Sequence, residues 1–367
     1  MKKCLLLIPR MGNGGAERVM ATIANNLCRD YEVCIVTMTD AESFYRLDER
    51  VSIIGLGQNV NRKNKITKLT SMLFGGIKGF FALRRTVKEW HPDVILSFLQ
   101  STNAMAILLR AFGIKCRLVV SERCDPTERN FLNRWFERNL YSKADVIVCQ
   151  GEAVTKFFRE KDRQKIAVIP NPIAADAIPE RFEGVRRKTV VGVGRLDAQK
   201  NFKMLISAFA KLPERFSDYT LEIYGGGNQE KELRTHIDAL GLQDRAFLMG
   251  VKSGVMHYIS DAALYVMSSD FEGFPNALAE AMATGLPVIS TDFSTGVARD
   301  IIKEENGIVI PVGDENALLE AMTTMLSNEE RWETFSVANR ELLTTLSEKR
   351  VMQKWCEALD MKEEIKR

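Results

Sequence analysis

Two cations and two carboxylates in the second half of the chain, Arg195, Lys200, Glu272 and Glu280, are side-chain types suited to a phosphorylated polyol. Guanidinium and ammonium groups make charge-assisted hydrogen bonds to phosphate oxygens, and carboxylates accept hydrogen bonds from hydroxyls. Glu272 and Glu280 bracket Gly-Phe-Pro in "EGFPNALAE". Pro275 suits the first position of a helix and Gly285 the position just past its end, so a helix is expected from about Pro275 to Thr284. Its inward stripe would be Ala277, Leu278, Ala281 and Met282. At a rise of about 1.5 Å per residue, Glu280 lies roughly a turn and a half along it, and Glu272 stays in the loop before it. One acid would then hold hydroxyls at one end of an extended ligand and the other those at the far end. The amides near Asn276 and Ala277 would lie between. That is the shape of a nucleotide sugar, with ribose on Glu280, hexose on Glu272 and diphosphate on Arg195 and Lys200. A structural reading of the acidic pair stands beside this: Glu272 favouring the positive end of the helix, Glu280 solvated.

Glycine clusters follow three apolar runs: "PRMGNGGAER", "GVGRLDAQKN" and "IYGGGNQEKEL". Such loops let backbone amides approach an anion at a helix start, although turn geometry alone also explains glycine there. The dinucleotide fingerprint fails, because Glu17 occupies the third glycine position, and no G-x-x-x-x-G-K-[ST] loop occurs.

Short apolar runs alternate with helical patterns from "CLLLI" to "IAVIP", pause at Pro170-Asn171-Pro172, and resume from "TVVGVG". This is the βαβ rhythm of a parallel sheet covered on both faces. The fold expected is α/β, two doubly wound halves over 1–170 and 171–345 with a last helix near 346–367, and the default ligand site is a cleft beyond the strands' carboxyl ends. A chain of 367 residues is long enough for two cores, and 46% apolar with 27% charged residues is an ordinary globular composition. A net charge of +3 argues against a nucleic-acid partner. The seven scattered cysteines include no C-x-x-C pair and suit reduced core positions in the cytoplasm. No apolar run reaches the roughly 18 residues of a membrane span.

In one chain and in this order, "GGAER", "GRLDAQKN", "IYGGG" and "EGFPNALAEAMATGLPVIST" resemble the retaining GT-B glycosyltransferases of family 4, and Glu272 and Glu280 match that family's E-x7-E pattern. The resemblance implies a GT-B fold of two Rossmann-like domains facing a cleft, with the C-terminal helix packing back on the first. By position it implies that Arg195 and Lys200 stabilise the leaving diphosphate, Glu280 holds the ribose and Glu272 the donor sugar. Gly273, Phe274, Asn276 and Ala277 would border the donor, Gly225, Gly226 and Gly227 would lie near the base, and Gly14 and Gly15 would line the N-terminal side. "SFLQSTN", "VVSERCD" and the basic stretch 62–88 are similar to bacterial GalNAc transferases acting on polyprenyl-diphosphate-linked oligosaccharides. Where many relatives carry a histidine, this chain has Glu122-Arg123, and Glu122 becomes a candidate acceptor-side group.

The expected donor is a UDP-sugar, UDP-GalNAc as the best guess, with no cofactor. No D-x-D triplet occurs, so no metal is expected. No Asp or Glu interrupts Val51 to Lys88, and Ile66 to Lys88 mixes apolar residues with Lys78, Arg84 and Arg85. That pattern suits an anionic membrane surface, hence a peripheral protein at the inner face, or else a core helix with a basic outer side. Two competing functions are a nucleotide-sugar epimerase of similar shape and a non-catalytic sugar-nucleotide-binding subunit.

Overall fold

The computed structural model describes residues 1–57 and 65–361, leaving aside the side chains of 65–75, 132 and 136. Arg62 and Lys63 of the basic stretch lie outside the described residues, as do the side chains of Lys65 and Lys68. The chain divides into two compact units.

The first unit runs β1 (Lys3–Ile8), α1 (Gly15–Leu27), β2 (Glu32–Thr37), β3 (Ser52–Gly55), α2 (Lys65–Trp90), β4 (Val94–Phe98), α3 (Gln100–Ala111), β5 (Arg117–Ser121), α4 (Phe131–Tyr141), β6 (Val146–Cys149) and β7 (Ile166–Val168). The sheet order is β3-β2-β1-β4-β5-β6-β7, and every pairing is parallel. The apolar runs of β1, β2 and β4 are buried almost without alternation, as strands covered on both faces require.

The second unit runs β8 (Arg187–Val193), α5 (Phe202–Ala210), β9 (Thr220–Tyr224), α6 (Glu230–Ala239), β10 (Ala246–Gly250), α7 (Val255–Ile259), β11 (Ala262–Met267), α8 (Asn276–Ala283), β12 (Val288–Thr291), α9 (Val297–Ile301), β13 (Gly307–Ile310), α10 (Glu315–Ser327), α11 (Trp332–Arg340) and α12 (Leu342–Thr345). Its order is β10-β9-β8-β11-β12-β13, again parallel throughout. The chain reverses direction across each sheet at β1/β4 and at β8/β11. Ligands of doubly wound sheets bind at such switch points, beyond the carboxyl ends.

The last described helix, α13 (Glu348–Leu359), joins the first unit from Val351 onward. Val351, Met352, Trp355 and Leu359 enter its core, the Trp355 ring lying 5.7 Å from Phe98, and Arg117 donates to the Ala358 carbonyl at 3.0 Å. The division differs slightly from the expected one: the second unit spans Pro170–Arg350 and also takes in residues 151–154. Gly151 packs so closely on the Thr295 carbonyl and Val297 that a β-carbon would not fit.

Candidate active site

The switch point of the second unit gathers most of the expected residues. Gly194 to Asn201 form the loop after β8, and Ser268 to Pro275 the loop after β11. Hydrogen bonds stitch the two together: Asp270 N to Gln199 O at 2.8 Å, Ser268 Oγ to Lys200 O at 2.8 Å, and Asn201 Nδ2 to Asp270 Oδ1 at 2.8 Å. Asn201, in the left-handed region at φ 45°, caps α5 by accepting from Met204 N at 3.3 Å. The turn is therefore held from both ends, and Lys200 emerges from it in a fixed direction.

Lys200 and Glu272 form an ion pair with side chains only 13% and 8% exposed. Glu272 also accepts from Ser269 Oγ at 2.7 Å and from Gln199 Nε2 at 3.3 Å, so a nearly buried carboxylate is satisfied on several sides. Gln199 accepts from Arg195 Nη2 at 3.1 Å through its amide oxygen. Arg195 is the outermost member: 72% exposed, it also pairs with Asp197 at 3.3 Å. Arg195, Lys200 and Glu272 thus belong to one network with Gln199 as its hub.

Glu280 stands half-buried on the second turn of α8. The helix matches the expected one to a residue at each end, with Leu278, Ala279, Ala281 and Met282 buried and Ala277 only partly so. Beneath it Tyr265 on β11 is fully buried, and its hydroxyl has no hydrogen-bond partner. Burial first, then the charges of Glu272 and Glu280, hold this phenol well above its usual range. The two glutamates thus bear on one point from different elements. Phe274 is buried in the core, and Asn276 accepts from Asn171 Nδ2 at 2.8 Å. Gly273 is half-buried in the loop between them.

The glycines carry more structure than the sequence reading assigned them. Gly225 has φ 149°, and a β-carbon there would overlap the Gly194 carbonyl oxygen; one at Gly227 would collide with Leu196 backbone. Leu196 N donates to Gly226 O at 3.1 Å, and Gln229 N to Leu196 O at 3.0 Å. Close packing of the β8 and β9 loops on each other therefore accounts for Gly225 and Gly227 without a ligand. At Gly194 the side chain of Lys200 fills the space a β-carbon would take.

In the first unit, Gly14 is the N-cap of α1 and Gly15 its first residue. Gly14 meets the carboxylate of Glu17, which is 9% exposed, so the start of this helix already faces a negative group. Glu122, expected on the acceptor side, is 2% exposed and fully engaged: Arg129 Nη2 at 2.9 Å, Tyr141 Oη at 3.2 Å, and the amides of Arg123 and Cys124 at 3.1 and 3.2 Å. It organises its loop and offers no open face, a correction to the role first read for it. Arg129 also pairs with Glu137; burial opposes its charge, but the two carboxylates outweigh this and its pKa is raised. Burial lowers the neighbouring Arg123 to about 9, and its guanidinium lies 4.6 Å from the centre of the Phe98 ring.

Gln199, Ser269 and Tyr265 are members of the site that sequence reasoning missed. Gln199 had a signal in its place just before Lys200; the other two are polar groups in apolar surroundings with none.

Two doubly wound parallel sheets, with a cation–carboxylate network at the second one's switch point, define a glycosyltransferase of GT-B class. Residues 13–177 match the model described as Glycosyltransferase Family 4, and residues 176–342 that of Glycosyl transferases group 1. The chain belongs to glycosyltransferase family 4. It is 30% identical over 333 residues, 90% of each chain, to the GalNAc-alpha-(1->4)-GalNAc-alpha-(1->3)-diNAcBac-PP-undecaprenol alpha-1,4-N-acetyl-D-galactosaminyltransferase of Campylobacter jejuni. It is also 30% identical to that organism's N-acetylgalactosamine-N,N'-diacetylbacillosaminyl-diphospho-undecaprenol 4-alpha-N-acetylgalactosaminyltransferase, covering 90% of this chain and 91% of that one. Among solved structures, Anabaena HepE in complex with UDP superposes with a TM-score of 0.79 at 18% identity, over 98% of this chain and 100% of that one.

Proposed function

We propose that the protein transfers an N-acetylhexosamine or hexose, with retention, from a UDP-sugar to a polyprenyl-diphosphate-linked saccharide in cell-surface glycan assembly. UDP-GalNAc is the preferred donor of this reading. The observation that carries it is the Arg195–Gln199–Glu272–Lys200 network at the switch point. Similarity to two enzymes named for lipid-diphosphate-linked acceptors supports the acceptor class.

As the anomeric C–O bond breaks, its electron pair goes to the diphosphate and positive charge grows on the sugar ring. Arg195, exposed and on a long side chain, is free to swing onto the outer phosphate. The Lys200 ammonium is paired with Glu272, a contact that a phosphate oxygen can share, so it faces growing negative charge without first being desolvated. Glu272 remains within reach of sugar hydroxyls, and Glu280 is assigned the ribose. Because these cations supply the countercharge, the reaction is proposed to need no metal and no cofactor. The acceptor's lipid places the work at the inner membrane face, with the basic stretch 62–88 against anionic lipid.

The test is transfer from a panel of nucleotide sugars to a short-chain prenyl-diphosphate saccharide, with product stereochemistry read by NMR. UDP-GalNAc should be used best and the α-anomeric configuration kept, and EDTA should leave the rate unchanged. Turnover without acceptor to an epimeric donor, or EDTA-abolished activity restored by Mn²⁺, overturns the reading.

A further inference from the structure

Helix α4 has two sides of opposite character. Its inner side carries Glu137 and Tyr141, both buried and both tied to the Glu122 loop, one through Arg129 and the other through its hydroxyl. Its outer side carries Phe131, Arg134, Trp135 and Arg138, a spacing of i, i+3, i+4 and i+7 that makes one stripe of a helix. Phe131 is 71% and Trp135 59% exposed. Large aromatic side chains so uncovered, one turn apart, mark an interaction surface and not a solvated face. The stripe holds two cations and no carboxylate, since Glu137, the one acid of α4, turns inward to Arg129.

The neighbouring helices continue the pattern. α3 packs against α4 and ends beside the exposed Leu108 and Phe112. The Phe112 ring lies 5.1 Å from Phe80 of α2, which also presents exposed Ile77, Lys78, Phe81 and Arg85. Exposed apolar side chains thus recur on three neighbouring helices, with cations beside them on α4 and α2.

We propose that the outer stripe of α4 docks on an anionic lipid bilayer, Phe131 and Trp135 entering the headgroup region and Arg134 and Arg138 meeting lipid phosphates. Charge complementarity commits the surface to this occupant. Indole and phenyl rings between cations favour the membrane–water boundary, and no helix among the described residues is long and apolar enough to cross it. The inference rests on the lipid-borne acceptor of the preceding section and deepens it: the helix that meets the bilayer is the one that clamps the Glu122 loop from behind.

Trp135 is itself the probe. Trp332 and Trp355 are buried and Trp90 is half-buried, which leaves Trp135 as the exposed indole. The full chain mixed with vesicles of phosphatidylglycerol and phosphatidylcholine in equal parts should show a blue-shifted emission, quenched by brominated acyl chains. Neither effect should appear with phosphatidylcholine alone or in Trp135→Phe. The double variant Phe131→Ser/Trp135→Ser should partition onto the anionic vesicles at least about tenfold more weakly. It should keep the native circular dichroism and native transfer to a water-soluble short-chain acceptor, and lose transfer to the same saccharide carried in vesicles. Emission unmoved by saturating anionic vesicles, or partitioning unchanged in the double variant, overturns the proposal. So does an emission shift that follows protein concentration without lipid and tracks dimer in sedimentation, which would give the stripe to a second copy. If the transferase reading itself fails, vesicle binding survives while no acceptor is glycosylated.

Discussion

Lys200 and Glu272 offer a perturbation in which stability and catalysis should part company. Lys200→Met leaves the Glu272 carboxylate, 8% exposed, without its counter-ion. Removing one partner of a buried pair costs about 3–5 kcal/mol. Here Ser269 at 2.7 Å and Gln199 at 3.3 Å still donate to the stranded carboxylate, so the expected cost is lower, about 2–3 kcal/mol. At roughly 2–4 °C per kcal/mol for a domain of this size, the unfolding midpoint of the second unit should fall by about 5–10 °C. Glu272→Gln costs less, about 1–2 kcal/mol, because the long lysine side chain can carry its ammonium into water. The double variant Lys200→Met/Glu272→Gln removes both charges and should return to within about 1 kcal/mol of the native protein. Activity should not return with it: both variants that lack Lys200 should lose about 10²–10³ in kcat/KM, since the countercharge for the leaving diphosphate is gone, and Glu272→Gln should lose activity through its weakened hold on the donor sugar. Calorimetry and donor kinetics on the four proteins complete the cycle. Stability losses that simply add, with a coupling under about 0.5 kcal/mol, would refute the buried pair. Activity that recovers along with stability would refute its catalytic use.

Two further outcomes follow from the packing. Gly225→Ala should cost about 3 kcal/mol or more, because the new methyl meets the Gly194 carbonyl, whereas Gly241→Ala, at φ 66° with open space around it, should cost only about 1 kcal/mol; equal costs in chemical denaturation would count against the laced loops. Burial, only partly offset by Arg129, holds the Glu137 carboxyl above its ordinary 4.5, so the folded state keeps this proton more tightly than the unfolded one, and the group's contribution to stability falls as pH rises from 4.5 through the raised value. Glu137→Gln, which cannot titrate, should therefore gain stability relative to the native protein as pH rises above 4.5 and lose ground to it as the solution is acidified towards 4.5. A native protein that instead weakens relative to the variant on acidification would show the sign to be wrong.

Much of this architecture is legible in residue order because parallel strands buried on both faces write themselves as continuous apolar runs. The bounds of α8 follow from Pro275 and Gly285, whose backbone preferences act locally. What escaped is non-local. Glu122 read as an open acid because nothing nearby in sequence announces Tyr141, 19 residues on, as its partner. The glycines at 225 and 227 looked like approaches for a ligand, whereas the chain they admit is the Gly194–Leu196 loop, some thirty residues earlier. Residues 151–154 joined the second unit through Thr295 and Val297, contacts that no periodicity encodes. The aromatic stripe of α4 went unread, because Phe131 and Trp135 are spaced as a core-facing pair would be and only their exposure distinguishes them.

The place of α13 bears on how the protein is made. Phe98 and the strands around it wait for Val351, Trp355 and Leu359, side chains that leave the ribosome after the whole of the other sheet. The lobe synthesised first is therefore sealed last, and the nascent protein carries an open greasy flank through most of its translation, the period in which chaperones have something to hold.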